Sequence, residues 1–310
     1  MIHERMRILD DVVYVFFCYK QSGYLEQTLT SALQQTIWPS TLLILDDCSP
    51  DDSHEKILSI LKSAPKELNI EYRHNEKNVG LVSQINSLRG RFQNKLIIVQ
   101  AGDDIAYPER IKETYQSWLD NGKPSLVVGS YDKISQDGQL IKPFDASDVK
   151  QKPYSLKNII SRKCPVNGCC AAFTSDVIEQ FEPYHADIIH EDSINVLRAY
   201  LLNGIHYEHK SWIQYRDGGI SSFSKRNFEE KRNYTVVHAE RELRDLKMNF
   251  IDAQSKAATE VIKALRKRML AVEFMASLPK TKVAIYCHAI RYLLRTGDFA
   301  ITGKVLRRMK

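Results

Sequence analysis

Three pairs of neighbouring acids stand out in this chain: Asp46-Asp47, Asp103-Asp104 and Glu191-Asp192. Asp103-Asp104 lies in "LIIVQAGDDIAYPERI", where four apolar residues, Leu96 to Val99, lead into the two carboxylates. Adjacent aspartates at the mouth of a buried strand suit a hard divalent cation. Mg2+ or Mn2+ takes oxygen ligands and keeps part of its shell for waters and substrate phosphates. Such a cation neutralises charge on a diphosphate leaving group. The competing reading is that Asp103 caps the helix opening at Pro108 and that Asp104 is solvated. Asp46-Asp47 follows "LLIL" in the same way. Either Asp47 accepts hydrogen bonds from a nucleobase or ribose edge, or "DDCSPDDS" is only a turn rich in capping residues. Glu191 and Asp192 open a predicted helix, where the dipole favours acids whatever their function. His206, His209 and the nearby His190 lack a further ligand at the spacing a zinc site needs.

These acids need elements to position them, and the first third of the chain supplies a regular alternation. "VVYVFFCY" (12–19), "TLLILDD" (41–47), "NIEYRHN" (69–75), "KLIIVQ" (95–100) and "SLVVGSY" (125–131) read as strands, most of them apolar on both faces. Helical patterns fill the gaps at 23–36, 49–64, 80–92 and 108–122. Such alternation predicts βαβ units and a mainly parallel, Rossmann-like sheet flanked by helices. Ligands in such folds bind beyond the carboxyl ends of the strands, and Tyr19, Asp46-Asp47 and Asp103-Asp104 fall there. Further on, 167–181 reads as a short strand entering a helix, 190–204 as an amphipathic helix, and 205–216 as one or two strands. After Ser224 the pattern is helical throughout.

The 310 residues are 43% hydrophobic and 26% charged, as in ordinary globular proteins. No apolar run is long enough to span a bilayer, and "MIHERMRILDD" lacks the apolar stretch of a signal peptide, so a cytoplasmic setting is expected. The six cysteines show no paired spacing and read as reduced, mostly buried residues. The net charge of +6 is uneven. Residues 226–310 carry 19 Lys and Arg against 9 Asp and Glu, a balance of +10, and the rest of the chain stands at −4. That asymmetry points to an anionic partner for the C-terminal part.

Taken together, "VVYVFFCYKQSGYLEQTLTSALQQTIWPSTLLILDDCSPDDS", "HNEKNVGLVSQIN", "IIVQAGDDIAYPERI" and the later "ED" resemble, in order and spacing, the inverting family 2 glycosyltransferases of GT-A fold. The resemblance spans roughly residues 10–225. It implies that Tyr19 and Asp47 bind the nucleoside, most often uridine, and that Asn78 to Leu81, including Gly80, pass near the donor. It places Asp103 at the metal-binding position of the family's D-x-D motif. The first aspartate of that motif would fall at Ala101, so Asp103 and Asp104 together would hold the Mn2+ or Mg2+. Asp192 would be the general base that takes the acceptor's proton, with Glu191 orienting the acceptor. "YRDGGISS" resembles the segment where Arg216, with Ser221 nearby, would contact the diphosphate by charge-assisted hydrogen bonds.

The expected organisation is a catalytic domain over 1–225 and a basic helical extension over 226–310. The expected reaction moves a sugar, UDP-linked by resemblance, to a saccharide acceptor in bacterial surface polysaccharide such as O-antigen or capsule. A nucleotidyltransferase and an inactive nucleotide-sugar-binding module are the rivals. A dehydrogenase is disfavoured by the missing G-x-G-x-x-G. The basic, amphipathic stretches 266–270 and 292–310 suit peripheral contact with the inner face of the cytoplasmic membrane and a lipid-linked acceptor. They equally suit internal packing or a dimer contact. No base-reading pattern points to nucleic acid.

Overall fold

Continuous apolar runs become the centre of one mixed sheet. The computed structural model describes residues 7–149, 154–217 and 228–308. Strands β1 (Ile8–Cys18), β2 (Trp38–Asp46), β3 (Ile70–His74) and β4 (Leu96–Ala101) pair in parallel in the order β3-β2-β1-β4. Their facing helices are α1 (Leu25–Leu33), α2 (Ser53–Leu61) and α3 (Leu81–Asn86). Val12 to Phe16, Leu42 to Leu45 and Leu96 to Ile98 are almost wholly excluded from solvent, as expected of strands covered on both faces.

The sheet then changes direction. A two-residue β5 (Ile105–Ala106) and helix α4 (Arg110–Asp120) lead into β6 (Leu126–Ile134) and a short β7 (Leu140–Lys142). Helix α5 (Leu156–Ile160) precedes β8 (Ala171–Thr174), α6 (Asp176–Glu179), α7 (Glu191–Leu201) and the long β9 (Ile205–Arg216). β8 wedges antiparallel between β4 and β6, β9 runs parallel to β6, and β5 pairs antiparallel with β9. The long pairings are parallel and the antiparallel ones are short. This is the α/β class with a mainly parallel sheet that the alternation predicted.

Differences from the sequence reading are local. α3 stops at Asn86 rather than continuing to residue 92, and Gly90, at φ +74°, lies in a turn beyond it. The stretch 205–216 is one strand. Among the six cysteines there is no disulfide. Cys18 and Cys170 are buried, Cys48, Cys164 and Cys169 are half-buried, and Cys287 is exposed, so burial is less general than expected.

The chain divides into two compact units, residues 1–186 with 191–218, and residues 187–190 with 219–310. The expected boundary at 225/226 and Ser221 lie outside the described residues. The second unit contains α8 (Phe228–Ser255), α9 (Thr259–Ala276), α10 (Lys282–Thr296) and α11 (Phe299–Arg308). Inside it, Arg232 on α8 donates to the carbonyls of Leu278 and Pro279, and Arg268 on α9 pairs with Glu242 on α8 at 2.6 Å. His190 Nδ1 lies 2.9 Å from Asp245 Oδ2. Among the described residues no helix is long and apolar enough to cross a membrane.

Candidate active site

The carboxyl ends of β1, β2 and β4, the start of α3 and the start of α7 surround one cavity of about 520 Å3. Eight of the nine residues singled out in the sequence line it: Tyr19, Asp47, Asn78, Gly80, Asp103, Asp104, Glu191 and Asp192. They come from five separate stretches of chain. Arg216 is the exception.

The acidic turn after β4 is held at almost every polar backbone group. Thr28 Oγ1 donates to the Gly102 carbonyl at 2.8 Å. Arg216 Nε donates to the Asp103 carbonyl at 3.0 Å. Gln100 Nε2 donates to the Asp104 carbonyl at 2.7 Å, and the Asp104 amide donates to Ala101. Gly102 suits the close approach here, because a Cβ would displace the end of the Gln21 side chain and stand 3.1 Å from the Phe17 carbonyl.

The two side chains on this turn differ. The Asp103 carboxylate is half-buried and makes no hydrogen bond or ion pair among the described residues. It is not a helix cap: α4 begins at Arg110, and its N-cap is Glu109. Asp104 is 1% exposed, so it is not solvated either. Its Oδ1 accepts from the Arg216 amide at 3.0 Å, while Oδ2 is buried with no hydrogen-bond partner. Burial and the neighbouring Asp103 charge push its carboxyl up to about 7. Adjacent oxygen donors, one unpartnered and one half-partnered beside a cavity, fit a hard divalent cation.

Arg216 is buried and spends its donors within the fold. Besides Asp103, its guanidinium reaches the carbonyls of Ser135 (3.1 Å) and Gln136 (2.6 Å) and Gln27 Oε1 (3.3 Å), and it stacks 4.5 Å over the Tyr24 ring. This geometry makes it the clamp behind the acidic turn; it does not line the cavity, where a diphosphate contact would place it.

Asp47 closes the opposite wall. It is 2% exposed, and its Oδ1 accepts from Asn75 Nδ2 (2.8 Å) and the Val79 amide (2.9 Å). Its Oδ2 accepts from the Gly80 amide at 2.7 Å, which leaves a lone pair of that oxygen for a ligand. Gly80 sits at φ +81°, ψ 155°, a conformation open mainly to glycine, and this aims its amide back at Asp47 as α3 begins. Tyr19 stands exposed at the rim. At the α7 start, Asp192 Oδ1 accepts from the Ser193 amide at 2.6 Å. The Glu191 carboxylate faces Gly168, where a Cβ would lie 3.5 Å from its Oε1.

Sequence reasoning missed the residues that shape the far wall. Arg110, fully buried, donates to the Val99 carbonyl on β4 and the Cys169 carbonyl at 2.5 Å each, and so draws the 167–170 segment against the sheet. Its only sequence signal is its place in "PERI". Cys169 lines the cavity, and the adjoining Cys170 thiol and burial hold its own thiol well above the usual range. Val166 and Asn167 are shared with a second cavity of about 340 Å3 that contains Tyr131, Tyr207, Lys133 and Lys142.

The histidines considered for zinc do not gather: His206 lies 3.5 Å from Glu208, and His209 packs edge-on against Tyr207. A different set meets instead. Ligand atoms of Asp46, His54 and His74 lie within 4.8 Å of one another and could hold a metal ion. They already form a hydrogen-bonded knot, with His74 Nδ1 2.7 Å from Asp46 Oδ2 and His54 Nδ1 2.7 Å from Tyr72 OH.

The model of glycosyl transferase family 2 matches residues 14–180. Over 320 aligned residues the chain is 22% identical to an uncharacterized glycosyltransferase of Haemophilus influenzae, with 96% of each chain covered. It is 22% identical over 143 residues to the succinoglycan biosynthesis protein ExoO of Rhizobium meliloti, spanning 46% of this chain and 39% of that one. Among solved structures, S. aureus TarS 1–349 in complex with UDP-GlcNAc matches with a TM-score of 0.54 at 13% identity, covering 97% of this chain and 91% of that one. The mannosyltransferase PcManGT from Pyrobaculum calidifontis, in complex with GDP-Man and Mn2+, matches with a TM-score of 0.52 at 12% identity, covering 99% and 91%. At these identities the structural likeness speaks for the fold alone.

Proposed function

The chain belongs to glycosyl transferase family 2 and is a glycosyltransferase of GT-A fold; from that premise we propose that it transfers a hexosyl group from a UDP-sugar to a saccharide acceptor with inversion. The observation that carries this reading is the cavity in which Tyr19, Asp47, Asp103, Asp104, Glu191 and Asp192 meet. Tyr19 and Asp47 bind the nucleoside, with Asn78 and Gly80 forming the adjoining wall. Asp103 and Asp104 hold the Mn2+ or Mg2+. When bound, that cation supplies neutralising charge for the diphosphate. Support for it comes from the unpartnered Asp104 Oδ2.

Asp192 takes the acceptor hydroxyl proton as the acceptor oxygen bonds to the anomeric carbon and the bond from that carbon to the diphosphate oxygen breaks. UDP leaves with the electron pair. Glu191, beside it, orients the acceptor. The acceptor approaches from the second cavity, whose wall includes Tyr131 and Tyr207. Surface-polysaccharide synthesis is the setting this reading favours, supported by the likeness to a succinoglycan biosynthesis protein.

Calorimetric titration of UDP tests the proposal, with Mn2+ and with EDTA, on the wild type and Asp103→Ala. Metal-dependent binding that the variant loses is the expected result. Equal binding in both proteins, or binding indifferent to EDTA, would remove the acidic turn from the donor site.

A further inference from the structure

Helix α10 is apolar on two sides. Ile285, Ala289 and Tyr292 face inward and are buried. On the outer side, Val283 is 75% exposed, Tyr286 45%, Ile290 55% and Leu294 82%; Phe299, at the start of α11, is 76% exposed. At ~100° per residue the four helical positions share an arc of about 80°. The helix is fixed at both ends. Thr281 Oγ1 accepts from the Ala284 amide, and Gly297, at φ +67°, closes the C-terminus.

Charge along α10 itself has one sign. Lys282, Arg291 and Arg295 are exposed along α10, and no Asp or Glu occurs from Lys280 to Gly297. Residues 280–310 carry eight Lys and Arg and a single acid, Asp298, whose Oδ1 accepts from the Ile301 amide at the start of α11. Arg291 and Arg295 also border a cavity of about 570 Å3 with His288, Tyr292 and Leu270; Glu273 is the one acid in its wall. Phe274 stacks on Tyr292 there at 4.3 Å between ring centres.

We propose that α10 and Phe299 form a docking face for an anionic lipid bilayer. The apolar stripe enters the headgroup boundary, with Lys282 on one side of it and Arg291 on the other to meet lipid phosphates, and Arg295 further round beside the cavity. Charge selects this occupant over a second copy of the chain. A copy docked on the same face would bring its own cations against these, whereas an anionic surface matches both the stripe and its border. Of the two basic stretches, 266–270 lies within α9, flanked by the buried Leu265, Ala271 and Val272, while 292–310 begins on α10 and supplies Leu294 and Phe299 to the exposed face.

Vesicle flotation of the full chain tests this without reference to the donor site. The probes are vesicles of phosphatidylcholine with phosphatidylglycerol, and of phosphatidylcholine alone. The wild type floats with the anionic vesicles and not with the neutral ones. The double variant Leu294→Asp, Phe299→Asp loses at least tenfold in partition, as does Arg291→Glu, Arg295→Glu, while UDP binding stays as in the wild type. The side chains of Leu294 and Phe299 are too exposed for the first pair to disturb folding, and circular dichroism checks each variant. Wild-type protein that floats with neither vesicle, or variants that float like the wild type, would overturn the proposal. So would a wild-type dimer by light scattering that Leu294→Asp, Phe299→Asp converts to a monomer without changing flotation; the face would then be an interface between copies.

Discussion

Two aspartate pairs stand at the ends of β2 and β4, on either side of β1 in the same sheet, and they are partnered very differently. Asp46 and Asp47 are both buried and both richly hydrogen-bonded. Asp46 accepts from Ser49 and faces His74, and Asp47 accepts from Asn75, Val79 and Gly80. Asp103 and Asp104 sit on a turn whose backbone is as firmly held, yet the Asp103 carboxylate has no partner among the described residues and that of Asp104 has only the Arg216 amide and the neighbouring Cys169 thiol. Leaving a buried carboxylate oxygen unpartnered costs about 1–3 kcal/mol or more. A fold that hydrogen-bonds both acids of the first pair but leaves Asp103 and one Asp104 oxygen open supports the reading that the second pair takes a group from outside the chain.

The sharpest way to break this contrast is Asp103→Ala. With no hydrogen bond to lose and one like charge removed from beside Asp104, the variant should unfold within about 0.5 kcal/mol of the wild type. Its kcat/KM in Mn2+ should fall on the order of 10^3-fold, about 4 kcal/mol of transition-state stabilisation. Initial rates and urea unfolding on the same preparations measure both. Loss of stability with activity kept would make the two pairs equivalent.

Asp47→Ala should give the opposite balance. It strands the Val79 and Gly80 amides and the Asn75 side chain, so a stability loss of about 2–3 kcal/mol is expected, with weaker UDP binding as the wall loosens. Gly80→Ala probes the same wall from the other side. Its strained backbone should cost about 1–3 kcal/mol while leaving both acids in place. Urea midpoints unchanged in both variants would show that the wall does not depend on this carboxylate.

How far the sequence reveals these differences depends on the range of the interactions. Doubly covered strands must be apolar without interruption, so β1, β2 and β4 stand out in the primary structure, and acids directly after them are conspicuous. What the acids touch is set by residues far along the chain. Thr28 lies 74 positions from Gly102 and Arg216 113 positions from Asp103. Arg216 reads in sequence as a cation near a polar loop, which suits a diphosphate. It is a clamp because the two-residue β5 pairs with β9 and carries Arg216 beneath the turn, and a two-residue strand leaves no periodic signature. Arg110 is hidden for a related reason: a charged residue on an amphipathic helix reads as surface, and only packing shows it wholly buried. In the helical unit the sequence shows basic amphipathic character, but which face of α10 is covered depends on α8 and α9.

The smallest expected effect is a pH slope, and it reads the bare pair directly. Burial and the Asp103 charge raise the Asp104 carboxyl to about 7, well above its ordinary value. The folded protein therefore holds this proton more tightly than the unfolded chain does. The stability it confers is fully present below the unfolded value near 4 and is lost as pH rises through about 7. In EDTA, unfolding free energy should fall by up to about 1.4 kcal/mol per pH unit between roughly pH 5 and 7, relative to Asp104→Asn. Asparagine keeps an oxygen for the Arg216 amide and has no charge to bury, so its profile should lack this slope. In Asp103→Ala the like charge is gone, and the window should move to lower pH. Urea unfolding across pH 5–8 for the three proteins decides the point. Parallel profiles for wild type and Asp104→Asn would mean that Asp104 is already ionised and paired, which would remove the asymmetry between the two pairs.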